Sequence, residues 1–259
     1  MASNSQLIPW REIKALSFDI YGTLIDWEGG IVNTLHATEL GPFLPASRTE
    51  ILTNMERYER EIQHDNPSLK QRDGIAEGLR RFAAQLRVVE DGHLTQAQVD
   101  EAAKQYGSGI GAYPAFADTV AAIQRLGERF KLIPLTNVDN ASFSQTLDGP
   151  LKGCHFDAWY TAQDIGSYKP DLKNFRYLLE HLKQDFGGIE KEQLVHVAQS
   201  LYHDHKPARE VGIPYSIWVD RKGVMGNLEG KEVTEKEFGF KFSVESLKEL
   251  ADLIDEALA

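Results

Sequence analysis

Cysteine is nearly absent: Cys154 is the only one in the chain. No intrachain disulfide can form, which excludes a disulfide-stapled scaffold and fits a reducing compartment. A lone thiol can also be a nucleophile, but His155 is the only base beside it and nothing in the sequence orients that ring. Cys154 therefore reads as a small packed residue. Long apolar runs are lacking too. None approaches the roughly 18 residues that a membrane-spanning helix needs. The opening Met-Ala-Ser-Asn-Ser-Gln has neither the basic nor the apolar stretch of a secretory signal. Positive charge is short: 28 Lys and Arg against 39 Asp and Glu leave a formal charge of −11. That sign disfavours a free-standing nucleic-acid binder or a binder of anionic membranes. There is no internal repeat, no low-complexity tract and no glycine-rich phosphate loop; Glu28-Gly29-Gly30 is too short for one. These absences predict a soluble, cytoplasmic protein with no nucleic-acid and no membrane partner.

What is present is ordinary globular material, 42% hydrophobic and 26% charged over 259 residues, enough for a core domain with a smaller second one. Short apolar runs rich in β-branched and aromatic residues predict strands at 15–20, 130–137, 156–161, 194–200 and 215–219. Pro134 counts against the second, because it cannot donate to a ladder. Helical spacing fills the gaps. Val120, Ile123 and Leu126 share a face in 118–126, with Gly127 placed as a stop. Phe175, Leu178, Leu179 and Leu182 recur in 170–186, and Leu247, Leu250, Ala251, Ile254 and Leu258 in 243–258. Alternating strands and helices predict an α/β fold, a doubly wound and mostly parallel Rossmann-like sheet.

One stretch breaks the alternation. Residues 27–111 hold no strong strand run, only helical patterns at 48–63, 72–86 and 95–106. This predicts a helical domain inserted after the first strand, with a core made of 1–26 and 112–259. Gly107-Ser108-Gly109-Ile110-Gly111 closes the insert and reads as a flexible hinge.

The residues that suggest chemistry follow strand ends. In Phe18-Asp19-Ile20-Tyr21-Gly22-Thr23-Leu24 a carboxylate closes an apolar strand and a glycine turn follows. Ligands of parallel sheets bind beyond the carboxyl ends of the strands, so Asp19 belongs at the mouth of a cleft. Thr136-Asn137, then Lys169 in Ser167-Tyr168-Lys169-Pro170, then Ser200 to Asp204 follow later strand ends. Together they supply a nucleophile, hydrogen-bonding groups, a cation and a second carboxylate, the set that covalent catalysis by a carboxylate requires.

With these motifs in this order, the sequence resembles the haloacid dehalogenase superfamily over nearly its whole length. The resemblance implies that the helical insert is a cap on the core. Phosphatases of the superfamily offset the charge of their substrate with magnesium and protonate the leaving alkoxide from an Asp two residues after the nucleophile. Here that position is Tyr21, and an expected magnesium ligand is replaced by Ser200. Halide leaves without a proton or a metal. Tyr21 is similar to what the 2-haloacid dehalogenase branch carries, which implies a metal-independent, cofactor-free hydrolase of an organic acid. On this resemblance Asp19 attacks the halogen-bearing carbon, Asp204 helps water to hydrolyse the ester, and Lys169 holds Asp19 ionised. Thr23, Thr136 and Asn137 position the nucleophile and the substrate carboxylate, and the branch implies a possible homodimer.

The resemblance has gaps. The halide-cradling Arg of the early cap falls on Arg48 or Arg57. A pocket Tyr becomes Phe175, and a Ser and an Asn before the last Asp become Gln199 and Leu201. These changes leave two rivals open, a non-hydrolytic member acting on a bulkier organic molecule and a phosphatase with an incomplete magnesium site. His203 and His205 flank Asp204 and are candidate metal ligands, but neighbouring residues at a helix start point apart, which disfavours a metal site there.

Overall fold

The computed structural model describes residues 7–66, 69–223 and 233–259. The opening hexapeptide read above for a secretory signal lies outside them. Among the described residues no helix is long and apolar enough to cross a membrane. The chain separates into two compact units, described here over those residues. One comprises Met1–Asp26, Ala115–Asn137 and Leu151–Ala259, the other Trp27–Pro114 and Val138–Pro150.

The first unit is built on strands β1 (Ala15–Phe18), β2 (Lys131–Thr136), β3 (Tyr160–Thr161), β4 (Leu194–Ala198), β5 (Tyr215–Val219) and β6 (Phe242–Val244). They form one six-stranded sheet in the order β3-β2-β1-β4-β5-β6, parallel throughout. This is the doubly wound α/β arrangement. Side chains alternate between faces. Ala15, Ile133, Leu135 and Leu194 pack with Phe175, Leu178 and Leu182 from one side. On the other, the helix at Thr119–Gly127 is tied to the terminal helix by Arg125, which reaches Asp252 and Asp255 at 2.8 and 2.6 Å.

Three local expectations are corrected. Pro134 does lie within β2, but Leu132 turns its N–H and C=O outward to Asp157. Pro134, two residues on, faces the same way, and pairing with β3 starts only at Leu135, so no ladder bond is lost. The third strand shrinks to Tyr160–Thr161. The run at 243–258 divides: Phe242–Val244 joins the sheet as β6, and the helix begins at Leu247 behind Ser246, whose side chain accepts from the Glu249 N–H.

The second unit is helical among its described residues, with helices Trp27–Ala37, Arg48–Asp65, Gln71–Gln85, Gln96–Ser108 and Asn140–Asp148. The last belongs to a segment that the sequence alone grouped with the sheet. Ile51, Leu52, Met55 and Ile62 of the second helix, and Ile75, Leu79 and Phe82 of the third, are buried. The glycines at 107–111 are not a free hinge. Gly107 and Ser108 are helical, and a Cβ on Gly107 would stand 2.4 Å from the Arg72 carbonyl oxygen. Close backbone approach, not flexibility, asks for glycine there.

Candidate active site

The strand order reverses between β1 and β4, the place where a doubly wound sheet opens a crevice at its carboxyl edge. Asp19 follows β1, and Asp204 lies in the π-helical turn Leu201–His205 that follows β4. The Asp19 N–H still bonds to the Val197 carbonyl at 3.1 Å, so the nucleophile candidate is anchored to both strands. Gly22 then turns the chain with φ +97°, a conformation that a side chain would strain. The turn brings Thr23 back under the carboxylate.

Lys169 joins the two acids. Its Nζ donates to Asp19 Oδ1 at 2.8 Å, Asp204 Oδ1 at 2.7 Å and the Leu135 carbonyl at 2.9 Å, which uses all three ammonium protons. Thr23 Oγ1 donates to Asp19 Oδ2 at 2.7 Å and accepts from the Gln199 N–H at 2.9 Å. Only 7% of Asp19 and 1% of Lys169 and of Asp204 is exposed, so these charges meet one another rather than solvent.

Burial shapes their ionisation. It pushes the Asp19 carboxyl up; Lys169 opposes and Asp204 adds to the push, and the net position is above the ordinary value. Burial also pushes Asp204 up, but Lys169 and His196 outweigh it and hold this carboxyl well below the usual range. Burial works against the Lys169 ammonium, and the two carboxylates more than offset that. Two acids sharing one cation are thus driven apart.

Asp204 Oδ2 is buried and meets no hydrogen-bond donor among the described residues, and the same holds for Thr136 Oγ1 at the end of β2. Buried polar atoms are normally paired, so both are candidates for contact with substrate or water. Asn137, expected to position the nucleophile and the substrate carboxylate, bonds to the lysine's backbone: its amide donates to the Lys169 carbonyl at 3.0 Å and accepts from the Lys169 N–H at 2.7 Å. It holds the backbone that carries the lysine. Ser200 Oγ accepts from the His203 N–H at 3.1 Å and caps the π-helical turn. Phe175, expected at the pocket, is fully buried with Leu178 and Leu182. Helical spacing puts it on the core face of its helix. Tyr21 is half-buried beside the turn.

Arg48 and Arg57 belong to the helical unit. Arg48 is half-exposed and pairs with Glu28 at 3.5 Å. Arg57 donates to Asn54 at 3.0 Å and Gln85 at 2.8 Å, so both guanidiniums already have partners within that unit. Sequence reasoning missed two groups near the acids. His196 Nε2 lies 3.0 Å from Asp204 Oδ1. Arg221 donates to the Thr23 carbonyl at 3.1 and 2.9 Å while pairing with Asp118 at 2.9 Å. A histidine inside an otherwise apolar strand was the only visible signal of the first; nothing marked the second.

The family profile of haloacid dehalogenase-like hydrolases matches residues 13–212. The chain belongs to this family. The proteins to which the chain is similar differ in what they are named for. A glyceraldehyde 3-phosphate phosphatase of Methanocaldococcus jannaschii is 26% identical over 144 residues, 55% of this chain. The match spans only 56% of that relative's length. Among solved structures, an L-2-haloacid dehalogenase superposes with TM-score 0.69 at 19% identity, covering 93% of this chain and 98% of its own. Magnesium-bound YfnB from Bacillus subtilis also gives TM-score 0.69, at 18% identity and with 94% and 99% covered. At these identities the structural likeness speaks for the haloacid dehalogenase-like fold alone.

One of these similar structures holds magnesium, and the residues here can be set against the needs of that ion. It wants about six oxygens in a near-ideal octahedron. Asp19 Oδ1 and Asp204 Oδ1 both face the Lys169 ammonium, and Asp19 Oδ2 faces Thr23. At positions 21 and 200, where the family resemblance implies further carboxylates, the chain has Tyr and Ser. Among the described residues no three His, Cys, Asp or Glu are grouped to hold a metal. The donor set does not fit a magnesium site. His205 is excluded as a ligand by its own bonds, to Ser216 Oγ and the Ala198 carbonyl at 2.9 Å each.

Proposed function

We propose that this hydrolase is a metal-independent enzyme of the 2-haloacid dehalogenase type, acting on a small organic acid through an ester on Asp19, with the helical unit as its cap. The observation that carries the reading is the Asp19–Lys169–Asp204 cluster, with Tyr21 in place of a leaving-group acid. One Asp19 oxygen attacks the halogen-bearing carbon; a C–O bond forms and halide departs with the C–X electron pair. No proton is needed in that step. Asp204 Oδ2 then takes a proton from water, whose oxygen attacks the ester carbonyl. Collapse regenerates Asp19 and releases the hydroxy acid, which recovers its proton from Asp204 while the proton of the new carboxyl passes to solvent. Lys169 stabilises carboxylate charge throughout, and Thr136 Oγ1, which has no partner among the described residues, is a donor for the substrate carboxylate.

Halide release from L-2-chloropropionate and a wider 2-haloacid panel, measured with EDTA and with magnesium, tests this reading. Equal release in both, abolished in Asp19→Asn, is the expected outcome. No release from any 2-haloacid would sink the dehalogenase assignment and leave the family membership intact. The likeness to the archaeal phosphatase favours a second reading, phosphate-ester hydrolysis. Magnesium-dependent release of p-nitrophenol from its phosphate, lost in Asp19→Asn, would favour it over the first. The third reading, non-hydrolytic action on a bulkier molecule, requires turnover that survives Asp19→Asn.

A further inference from the structure

His196 is a buried histidine in the middle of β4, and neither the nucleophile nor the lysine touches it. Its hydrogen-bond partners are Ser17 and Asp204. Ser17 and His196 are register partners across β1 and β4, so their side chains share one face of the sheet. Ser17 Oγ lies 2.8 Å from His196 Nδ1, and His196 Nε2 lies 3.0 Å from Asp204 Oδ1. Both ring nitrogens are used, and the ring is fully buried. Phe175 packs its edge against the imidazole, with centroids 5.0 Å apart and planes at 84°. The ring therefore has no freedom to turn.

The chemistry of the partners sets the protons. An ionised carboxylate only accepts, so Nε2 carries the hydrogen toward Asp204. Nδ1 is then the acceptor for the Ser17 hydroxyl. Asp204 Oδ1 receives two donors, Nε2 and Lys169 Nζ. Oδ2 receives none. A carboxylate held at one oxygen by two donors cannot rotate its free oxygen out of place.

We infer that His196, braced by Ser17, is a positioning residue for Asp204, fixing which oxygen is presented as the base in the second half of the reaction. The inference rests on the proposed ester on Asp19. The first half, attack by Asp19 with departure of halide, does not use Asp204 as a base. The second half does: Oδ2 removes a proton from water while a C–O bond forms at the ester carbonyl. Loss of the histidine therefore slows hydrolysis of the ester and leaves its formation in place. This separates His196 from a residue that merely supports the fold, whose loss would depress both halves together.

The test is rapid quenching after mixing with a 2-haloacid that the enzyme turns over, followed by the intact mass of the protein. In His196→Phe the ester should accumulate toward one per chain while steady turnover falls about 10- to 100-fold, the scale of one hydrogen bond to a charged group. His196→Gln keeps a donor near the Nε2 position and should recover part of the rate. Ser17→Ala should accumulate ester to a smaller degree. A fall in turnover without ester, or unchanged turnover in His196→Phe, overturns the assignment. If the parent protein forms no ester with any haloacid, the proposed reaction fails instead, and nitrogen-15 NMR of the imidazoles decides the assignment. An Nε2-protonated ring whose signal moves in Asp204→Asn supports it. A Nδ1-protonated ring, or a signal indifferent to Asp204→Asn, overturns it.

Discussion

Replacing Lys169 by Met removes one cation and strands two carboxylates. The ammonium sits 2.8 Å from Asp19 and 2.7 Å from Asp204. At an effective dielectric of about 20, each contact represents roughly 6 kcal/mol of attraction. Desolvation of the ions offsets much of this, and removing one partner of a buried pair costs about 3–5 kcal/mol in practice. Unpaired buried carboxylates do not stay charged; one takes up a proton, because its pKa in the folded variant rises. The sign follows. A carboxyl whose folded pKa lies above its unfolded value contributes stability below the unfolded pKa and loses it as pH rises through the folded one. Lys169→Met should therefore melt about 6–20 °C below the parent at pH 8 and recover much of the gap near pH 5. Thermal melts by circular dichroism of both proteins across that range provide the assay. A gap below about 2 °C at pH 8, or one that does not change with pH, would refute the shared-lysine account.

Other perturbations read other parts of the molecule. Thr23→Val deletes the 2.7 Å hydroxyl bond to Asp19, which favours the ionised form, so the acid limb of the kcat/KM profile should move to higher pH; a stationary limb would contradict that bond. Burial lowers the His205 pKa to about 4 from 6.5, so its contribution to stability, about 3 kcal/mol, is present above the unfolded pKa and lost as pH falls from 6.5 toward 4. His205→Asn should show a shallower loss of denaturant stability over that window, whatever its stability at pH 8, and parallel curves would argue against a neutral buried ring. Burial pushes the Cys154 thiol up to about 11; alkylation by iodoacetamide at pH 7.5 should run about 100-fold slower than for free cysteine, and comparable rates would show a thiol more reactive than its surroundings allow.

The residues that could be read from sequence are those whose position relative to a strand end suffices to place them. Asp19, Lys169 and Asp204 each follow a strand or its turn, and a parallel sheet gathers such positions at one edge whatever its side-chain packing. Thr23 was legible for the same reason, four residues past Asp19 on a glycine turn. His196 was not, because its meaning depends on the register that places it opposite Ser17, 179 residues away in sequence. Arg221 likewise acquires its role only when the end of β5 meets the Thr23 carbonyl. Phe175 went the other way: a family position suggested the pocket, but its spacing with Leu178 and Leu182 decided for the core. Glycines 107–111 show the ambiguity of that residue, since flexibility and close packing ask for the same side chain. The strand Phe242–Val244 was hidden by the strong helical repeat beginning at Leu247.

The central claim is that Asp19 becomes covalently bound to substrate and is freed by water. Single turnover of excess enzyme with a 2-haloacid in heavy-oxygen water, followed by mass analysis of the peptide containing Asp19, measures this directly. Water attack on the ester carbonyl predicts one heavy oxygen in the Asp19 carboxylate and an unlabelled hydroxyl on the first product. Label found only in the product, with Asp19 unchanged, would contradict the account.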